Sequence, residues 1–202
     1  MTAAAVLAAA YLVGSLPTGL ALVRMLAGTD LRRQGSGNIG AANVYRVAGP
    51  GLAALVLAAD MLKGTSAVLL ARAADLGAGW AVAAGLIAIA GHNWSVFLRF
   101  GGGKGIATSF GVLLAISPVA AAVAAGAWVA AVAVTRYASV GSLLAVASVP
   151  LVVWGRGEPR AHLVFGLAAL LLAVCRHWAN IRRLLAGAEL RVFDTRGPVT
   201  RS

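Results

Sequence analysis

Three short stretches carry the side chains best suited to chemistry. They are Gly35-Ser36-Gly37-Asn38-Ile39-Gly40-Ala41-Ala42-Asn43, with Arg46 three residues on, Gly101-Gly102-Gly103-Lys104-Gly105, and Arg176-His177-Trp178-Ala179-Asn180-Ile181. Their shared theme is oxyanion binding. Successive glycines let backbone amides converge on an anion, and Ser36, Asn38 and Asn43 add neutral donors. Arg46, Lys104 and the Arg176-His177 pair add positive charge.

Two nucleotide motifs come close and fail. Gly35 to Gly40 fits G-x-G-x-x-G, with Asp60 twenty residues beyond the last glycine. The dinucleotide fingerprint also needs a preceding strand inside a βαβ unit, and here a basic loop precedes it and an apolar segment follows. Gly103-Lys104 is followed by Gly105 where a Walker A loop needs Ser or Thr for Mg²⁺, and Leu98 stands where its first glycine belongs. What survives is a phosphate cradle without nucleotide, formed by Gly102, Gly103 and Lys104.

Further polar residues interrupt apolar surroundings. Asp60 and Lys63 are three apart and share a helix face; charges there pair or line a polar cavity. His92-Asn93 lies close in sequence to Lys104. His177 and Asn180, again three apart, face one way. Ser142 offers a hydroxyl from the polar break Thr135 to Ser142. His162 reads as structural, and the single Cys175 as buried packing that excludes an intramolecular disulfide.

The elements that must position these groups are membrane helices. Of 202 residues, 60% are hydrophobic and 11% charged, against about a quarter charged in a soluble domain. The formal net charge of +11 comes from cations scattered at segment ends rather than from a nucleic-acid-binding face. Apolar stretches near residues 3–27, 50–71, 78–98, 105–117, 118–134, 139–154 and 161–181 predict an all-α polytopic bundle of about seven transmembrane helices. The Ala-rich N-terminus lacks a positive n-region and reads as the first span rather than a signal peptide. With the N-terminus outside, 13 of the 17 Lys and Arg residues lie at inner ends and three at outer ends, with Lys63 inside a span. That matches the inside bias of basic residues and puts all three stretches and the C-terminus on the cytoplasmic side. The fourth segment, ~20 Å long at 1.5 Å per residue, is shorter than the ~30 Å hydrocarbon core, and its N-terminus at Gly105 would aim a helix dipole at a bound anion. Residues 1–202 form one integral membrane domain, with 183–202 a basic cytoplasmic surface tail.

These motifs resemble those of the bacterial integral-membrane acyl-phosphate:glycerol-3-phosphate acyltransferase family. The likeness runs along nearly the whole chain: Gly14-Ser15-Leu16-Pro17-Thr18-Gly19, Gly35 through Asn43 with Arg46, Asp60-Met61-Leu62-Lys63-Gly64, Gly91-His92-Asn93-Trp94, Gly103 through Thr108, and Arg176-His177 through Asn180-Ile181. Ala42 departs from the family's usual Thr, Ser95 from its usual Pro, and Gly101 from a basic or polar residue; Ala42 leaves that position without a hydroxyl.

The resemblance implies transfer of a fatty acyl group from acyl-phosphate to the 1-hydroxyl of sn-glycerol 3-phosphate, giving lysophosphatidic acid and inorganic phosphate. It also implies seven spans and a site facing the cytoplasm. Ser36, Arg46, Lys104, His177 and Asn180 are then the catalytic candidates. Gly37, Asn38, Asn43, His92, Gly102, Gly103 and Ser142 are the substrate- and phosphate-binding ones. The proton acceptor is His177 or a substrate phosphate oxygen. No metal, cofactor, nucleic acid or obligate protein partner is implied, only the two substrates and membrane lipid. Thioester-dependent acyltransferases use His-x4-Asp, whereas Phe97, Leu167 and Arg182 stand five positions after the three histidines. The alternative from another class is a membrane carrier for an organic phosphate or lipid, which would be expected to show paired repeats; none is evident.

Overall fold

The computed structural model describes residues 1–193. The chain runs through helices α1 (Ala3–Ser15), α2 (Thr18–Ala27), α3 (Ala41–Ala73), α4 (Ala78–Asn93), α5 (Ile106–Ile116), α6 (Pro118–Thr135), α7 (Ala138–Gly155), α8 (Arg160–Arg176) and α9 (Trp178–Leu185). Ala3–Ala27 taken together, α3, α6 and α7 are long and apolar enough to cross a membrane. The α8–α9 pair, bent by 59°, adds a fifth if it counts as one span. The 16 residues of α4 and 11 of α5 extend only ~24 Å and ~16 Å at 1.5 Å per residue, short of a ~30 Å hydrocarbon core.

Four sequence expectations change. The first apolar stretch breaks at Leu16-Pro17, where proline cannot continue the hydrogen-bond ladder. The stretch 78–98 stops being α-helical at Asn93. Trp94, Phe97 and Phe100 are apolar enough to mimic a continuing span, but they sit exposed on a turn with left-handed backbone at Arg99 and Phe100. The second stretch begins earlier: α3 starts at Ala41 and bends at Gly49, whose φ of 82° suits glycine, before Pro50. Cys175 is exposed on α8 rather than buried.

Tight seams join the helices. A methyl group at Gly14 of α1 would lie 2.1 Å from the Ala88 carbonyl oxygen of α4. One at Gly111 of α5 would lie 1.9 Å from that of Met61 on α3. Without a side chain there, the backbones touch, the usual means of helix association in lipid. Ser117 separates α5 from α6; its hydroxyl accepts from Ala120 N–H at 3.3 Å, and Pro118 starts the new helix. The larger core joins α1, α3, α4, α5, α6, α7 and α8 around Phe165, Ile89 and Val112. A smaller one packs α2 and the segment before α3 against α3 through Val23, Leu31, Val44 and Val56.

Candidate active site

The first glycine-rich stretch folds around Asn43. Its Nδ2 donates to the carbonyls of Leu31, Gln34 and Asn38 (3.3, 3.1 and 2.8 Å), and its Oδ1 accepts the Ser36 N–H at 2.8 Å. Asn38 Oδ1 accepts from Gly40 N–H at 2.8 Å, an Asx turn leading into α3. Asn43 therefore shapes the loop with its own hydrogen bonds, while Ser36 and Asn38 stand at the cavity wall. Arg46 follows one turn into α3.

The second stretch is held from three sides. Gly103 N–H donates to the His92 carbonyl at 3.0 Å, and the Arg176 guanidinium donates to the carbonyls of Gly103 (2.8 and 3.0 Å) and Gly102 (3.3 Å). Arg176 also lies over Trp94, 5.5 Å from the ring centroid. The expectation that Gly102 and Gly103 cradle phosphate gives way here: their carbonyls are turned to Arg176, the Gly103 amide is used, and neither lines the cavity. Gly37 likewise lies off the wall. The first turn of α5, Gly105 to Ala107, does line the cavity, and a helix start presents unpaired amides.

The third stretch sits at the α8–α9 bend. His177 Nδ1 is 2.8 Å from the Ala173 carbonyl. A carbonyl only accepts, so Nδ1 carries the hydrogen and Nε2 is left as an acceptor. Asn180 bridges two charges, its Oδ1 accepting from Lys104 Nζ at 2.6 Å and its Nδ2 donating to Glu189 at 2.5 Å.

These parts meet in one cavity of about 310 Å³. Ser36, Asn38, Asn43, Arg46, His92, Lys104, Ser142, His177 and Asn180 all reach its wall. Ser142 spends its hydroxyl hydrogen on the Ala138 carbonyl at 2.8 Å and can still accept. Beyond this polar mouth the same cavity continues as an apolar arm between α3, α5, α6 and α7, past Met61, Phe110, Leu113, Trp128 and Val146.

Sequence reasoning missed the tail's part. The described residues after Arg183 do not form a free surface tail: Glu189 enters the mouth with its side chain 4% exposed. It accepts from Ser139 Oγ and Arg183 Nε, both at 2.8 Å, as well as from Asn180. Arg46 donates to the carbonyls of Leu190 at 3.3 Å and Arg191 at 3.0 Å. Val192 N–H pairs with the Arg136 carbonyl, and Phe193 meets Tyr45 edge-on. Only the excess of cations around it could have flagged Glu189. Residues 194–202, the rest of the expected tail, lie outside the described residues.

Burial pushes the Lys104 ammonium down to about 8; Glu189 opposes that fall, while Arg183, Arg46 and Arg176 add to it. Burial pushes the Glu189 carboxyl up, but hydrogen bonds from Asn180, Ser139 and Arg183 outweigh it and hold it below its ordinary value. Behind the mouth, Asp60 Oδ1 accepts from Lys63 Nζ and Thr18 Oγ1, each at 2.6 Å, and lies 3.6 Å from His92 Nδ1. Lys63 also donates to the Leu16 carbonyl at 2.5 Å, so the quartet ties the α1–α2 break to α3 and α4. Among the described residues no group of three His, Cys, Asp or Glu could hold a metal ion.

A two-part cavity, cationic at one end and apolar at the other, suits an amphiphile with an anionic head. Residues 4–187 match the family model described as glycerol-3-phosphate acyltransferase. The chain belongs to this family. Named members include the glycerol-3-phosphate acyltransferase of Desulforudis audaxviator (strain MP104C), 51% identical over 186 residues, 92% of this chain and 93% of that one. That of Synechococcus sp. (strain JA-2-3B'a(2-13)) is 44% identical, covering 95% of this chain and 96% of its own. Among solved structures the glycerol-3-phosphate acyltransferase fold is met in PlsY (YgiH), an integral membrane enzyme. Its glycerol 3-phosphate form superposes with a TM-score of 0.88 at 38% identity, covering 94% of each chain. Its lysophosphatidic acid form gives 0.85 at 35%, with the same coverage.

Proposed function

We propose that this chain transfers a fatty acyl group from acyl-phosphate to the 1-hydroxyl of sn-glycerol 3-phosphate, releasing lysophosphatidic acid and inorganic phosphate. The carrying observation is the single cavity in which a cationic mouth continues into an apolar arm. Family membership and the PlsY forms with glycerol 3-phosphate and with lysophosphatidic acid support the acceptor and product. The acyl-phosphate donor rests on the chemistry of the mouth and on the lack of a His-x4-Asp pair.

In this reading the phosphates sit among Arg46, Lys104, Ser36, Asn38 and the first-turn amides of α5, with Asn180 and Ser142 at their edge. The glycerol 1-hydroxyl oxygen attacks the acyl carbonyl carbon, an ester C–O bond forms, and the bond from that carbon to the phosphate oxygen breaks. The hydroxyl proton ends on the departing phosphate, so the balance closes without a strong protein base. His177 Nε2, facing the same space, is the residue placed to accept and pass that proton. Catalysis then consists of positioning two anions side by side and holding their charge. Asn43 and His92 reach the cavity wall, and Gly37, Gly102 and Gly103 belong to the loops behind it.

Residues 1–202 act in this proposal as one integral membrane domain of a bacterial inner membrane. Seven crossings leave the N-terminus outside and the site in the cytoplasm, as the distribution of Lys and Arg supports. The convergence of all three motif stretches on one mouth supports their common side. The test incubates purified protein with palmitoyl-phosphate and glycerol 3-phosphate and follows phosphate release and lysophosphatidic acid. Turnover with palmitoyl-phosphate and not with palmitoyl-CoA is expected; turnover with the thioester alone would overturn the donor.

A further inference from the structure

The apolar arm has a measurable depth and an identifiable end. Along α7 the inward residues Ser139, Ser142, Ala145, Val146 and Val149 line the cavity in helical steps of three and four. Ten residues separate the first from the last, ~15 Å at 1.5 Å per residue. On the antiparallel α6, Trp128 and Val129 line it nearer the mouth, and Ala124 and Ala125 deeper. One turn further, Ala120 and Ala121 on α6 and Val153 on α7 do not line the cavity. There the helices pack on one another and the arm closes.

We propose that Ala124 of α6 and Val149 of α7 form the floor of the acyl arm and set the longest chain this protein accepts. The inference rests on the acyl-transfer reading above and adds to it the residues that set chain length. Half of a ~30 Å hydrocarbon core is ~15 Å, so the cavity from mouth to floor is as deep as one leaflet. The small methyl of Ala124 is what keeps the final turn open. A phenyl ring at that position fills ~5 Å, one helical pitch, and shortens the usable chain by about a third.

The experiment compares palmitoyl-phosphate with decanoyl-phosphate in the full-length protein, in three variants beside the unmodified chain. Ala124→Phe should lower the palmitoyl-to-decanoyl ratio of kcat/KM roughly 200-fold, the effect of about four methylenes losing burial, with decanoyl turnover retained. Val149→Ala, which enlarges the floor, should move the optimum the other way, towards stearoyl-phosphate. Leu151→Phe, on the same helix but 69% exposed on its outer face, should leave the profile unchanged. If the palmitoyl-to-decanoyl ratio stays put in Ala124→Phe and the optimum stays put in Val149→Ala, the floor assignment fails while acyl transfer stands. Should Ala124→Phe not fold, Val149→Ala decides alone. If the unmodified chain turns over no acyl-phosphate of any length, the acyl-transfer reading fails, and the floor with it.

Discussion

Lys63 offers a sharp test of what the buried quartet behind the mouth does. Its side chain is 4% exposed and that of Asp60 2%, with 2.6 Å between Nζ and Oδ1. Lys63→Met removes the cation, keeps most of the volume, and strands a buried carboxylate beside Thr18 and His92. Breaking a buried pair from one side costs about 3–5 kcal/mol, whereas replacing both members with neutral groups of similar size is close to neutral. A chain of this size shifts its melting temperature by about 2–4 °C per kcal/mol, so the single variant should melt roughly 10 °C lower. The double variant Asp60→Asn with Lys63→Met should return to within a few degrees of the parent. The assay is thermal unfolding in detergent micelles, followed by tryptophan fluorescence, with the glycerol 3-phosphate KM measured on each variant. If the quartet braces the fold, stability moves in the single variant and KM in the double variant does not. A single variant as stable as the parent, or a double variant as unstable as the single, would refute it.

Two more predictions concern the mouth. Lys104 is charged below about pH 8 and neutral above it, so phosphate binding should be lost as pH rises: kcat/KM for glycerol 3-phosphate should fall about tenfold per unit above that point. Lys104→Ala should abolish transfer in a protein that still folds, and Lys104→Arg should retain residual activity without the limb near 8, because guanidinium does not titrate there. A limb persisting in Lys104→Arg would assign it to another group. Glu189 is the group opposing the fall of the Lys104 value, so Glu189→Gln should move the alkaline limb below 8. An unmoved limb would mean that the tail carboxylate does not act on Lys104.

The sequence exposed the pattern of charges and apolar runs better than it exposed geometry. Asp60 and Lys63 share a face because the helical period requires it, and their ion pair follows. Ser117-Pro118 separates α5 from α6, as read, because proline starts a helix well and continues one badly. The end of α4 was hidden because Trp94, Val96, Phe97 and Phe100 are as greasy on a surface turn as in a span. Gly102 and Gly103 have the composition of an anion cradle, yet Arg176, some seventy residues away in sequence, takes their carbonyls. Glu189 was invisible for the same reason. Its partners come from α7 (Ser139) and α9 (Asn180 and Arg183), and α9 ends at Leu185, so no helical period carries Glu189 to them.

The glycine seams also divide the bundle mechanically. Gly14 fastens α1 to α4, and Gly111 fastens α5 to α3. Gly141 of α7 lies so near α6 that a methyl there would come within 2.7 Å of Val132. With Gly85 of α4, where a methyl would come within 2.7 Å of Val112 on α5, the first two seams join α1, α3, α4 and α5, and the third joins α6 to α7. The apolar arm runs along the line where these two bodies face each other.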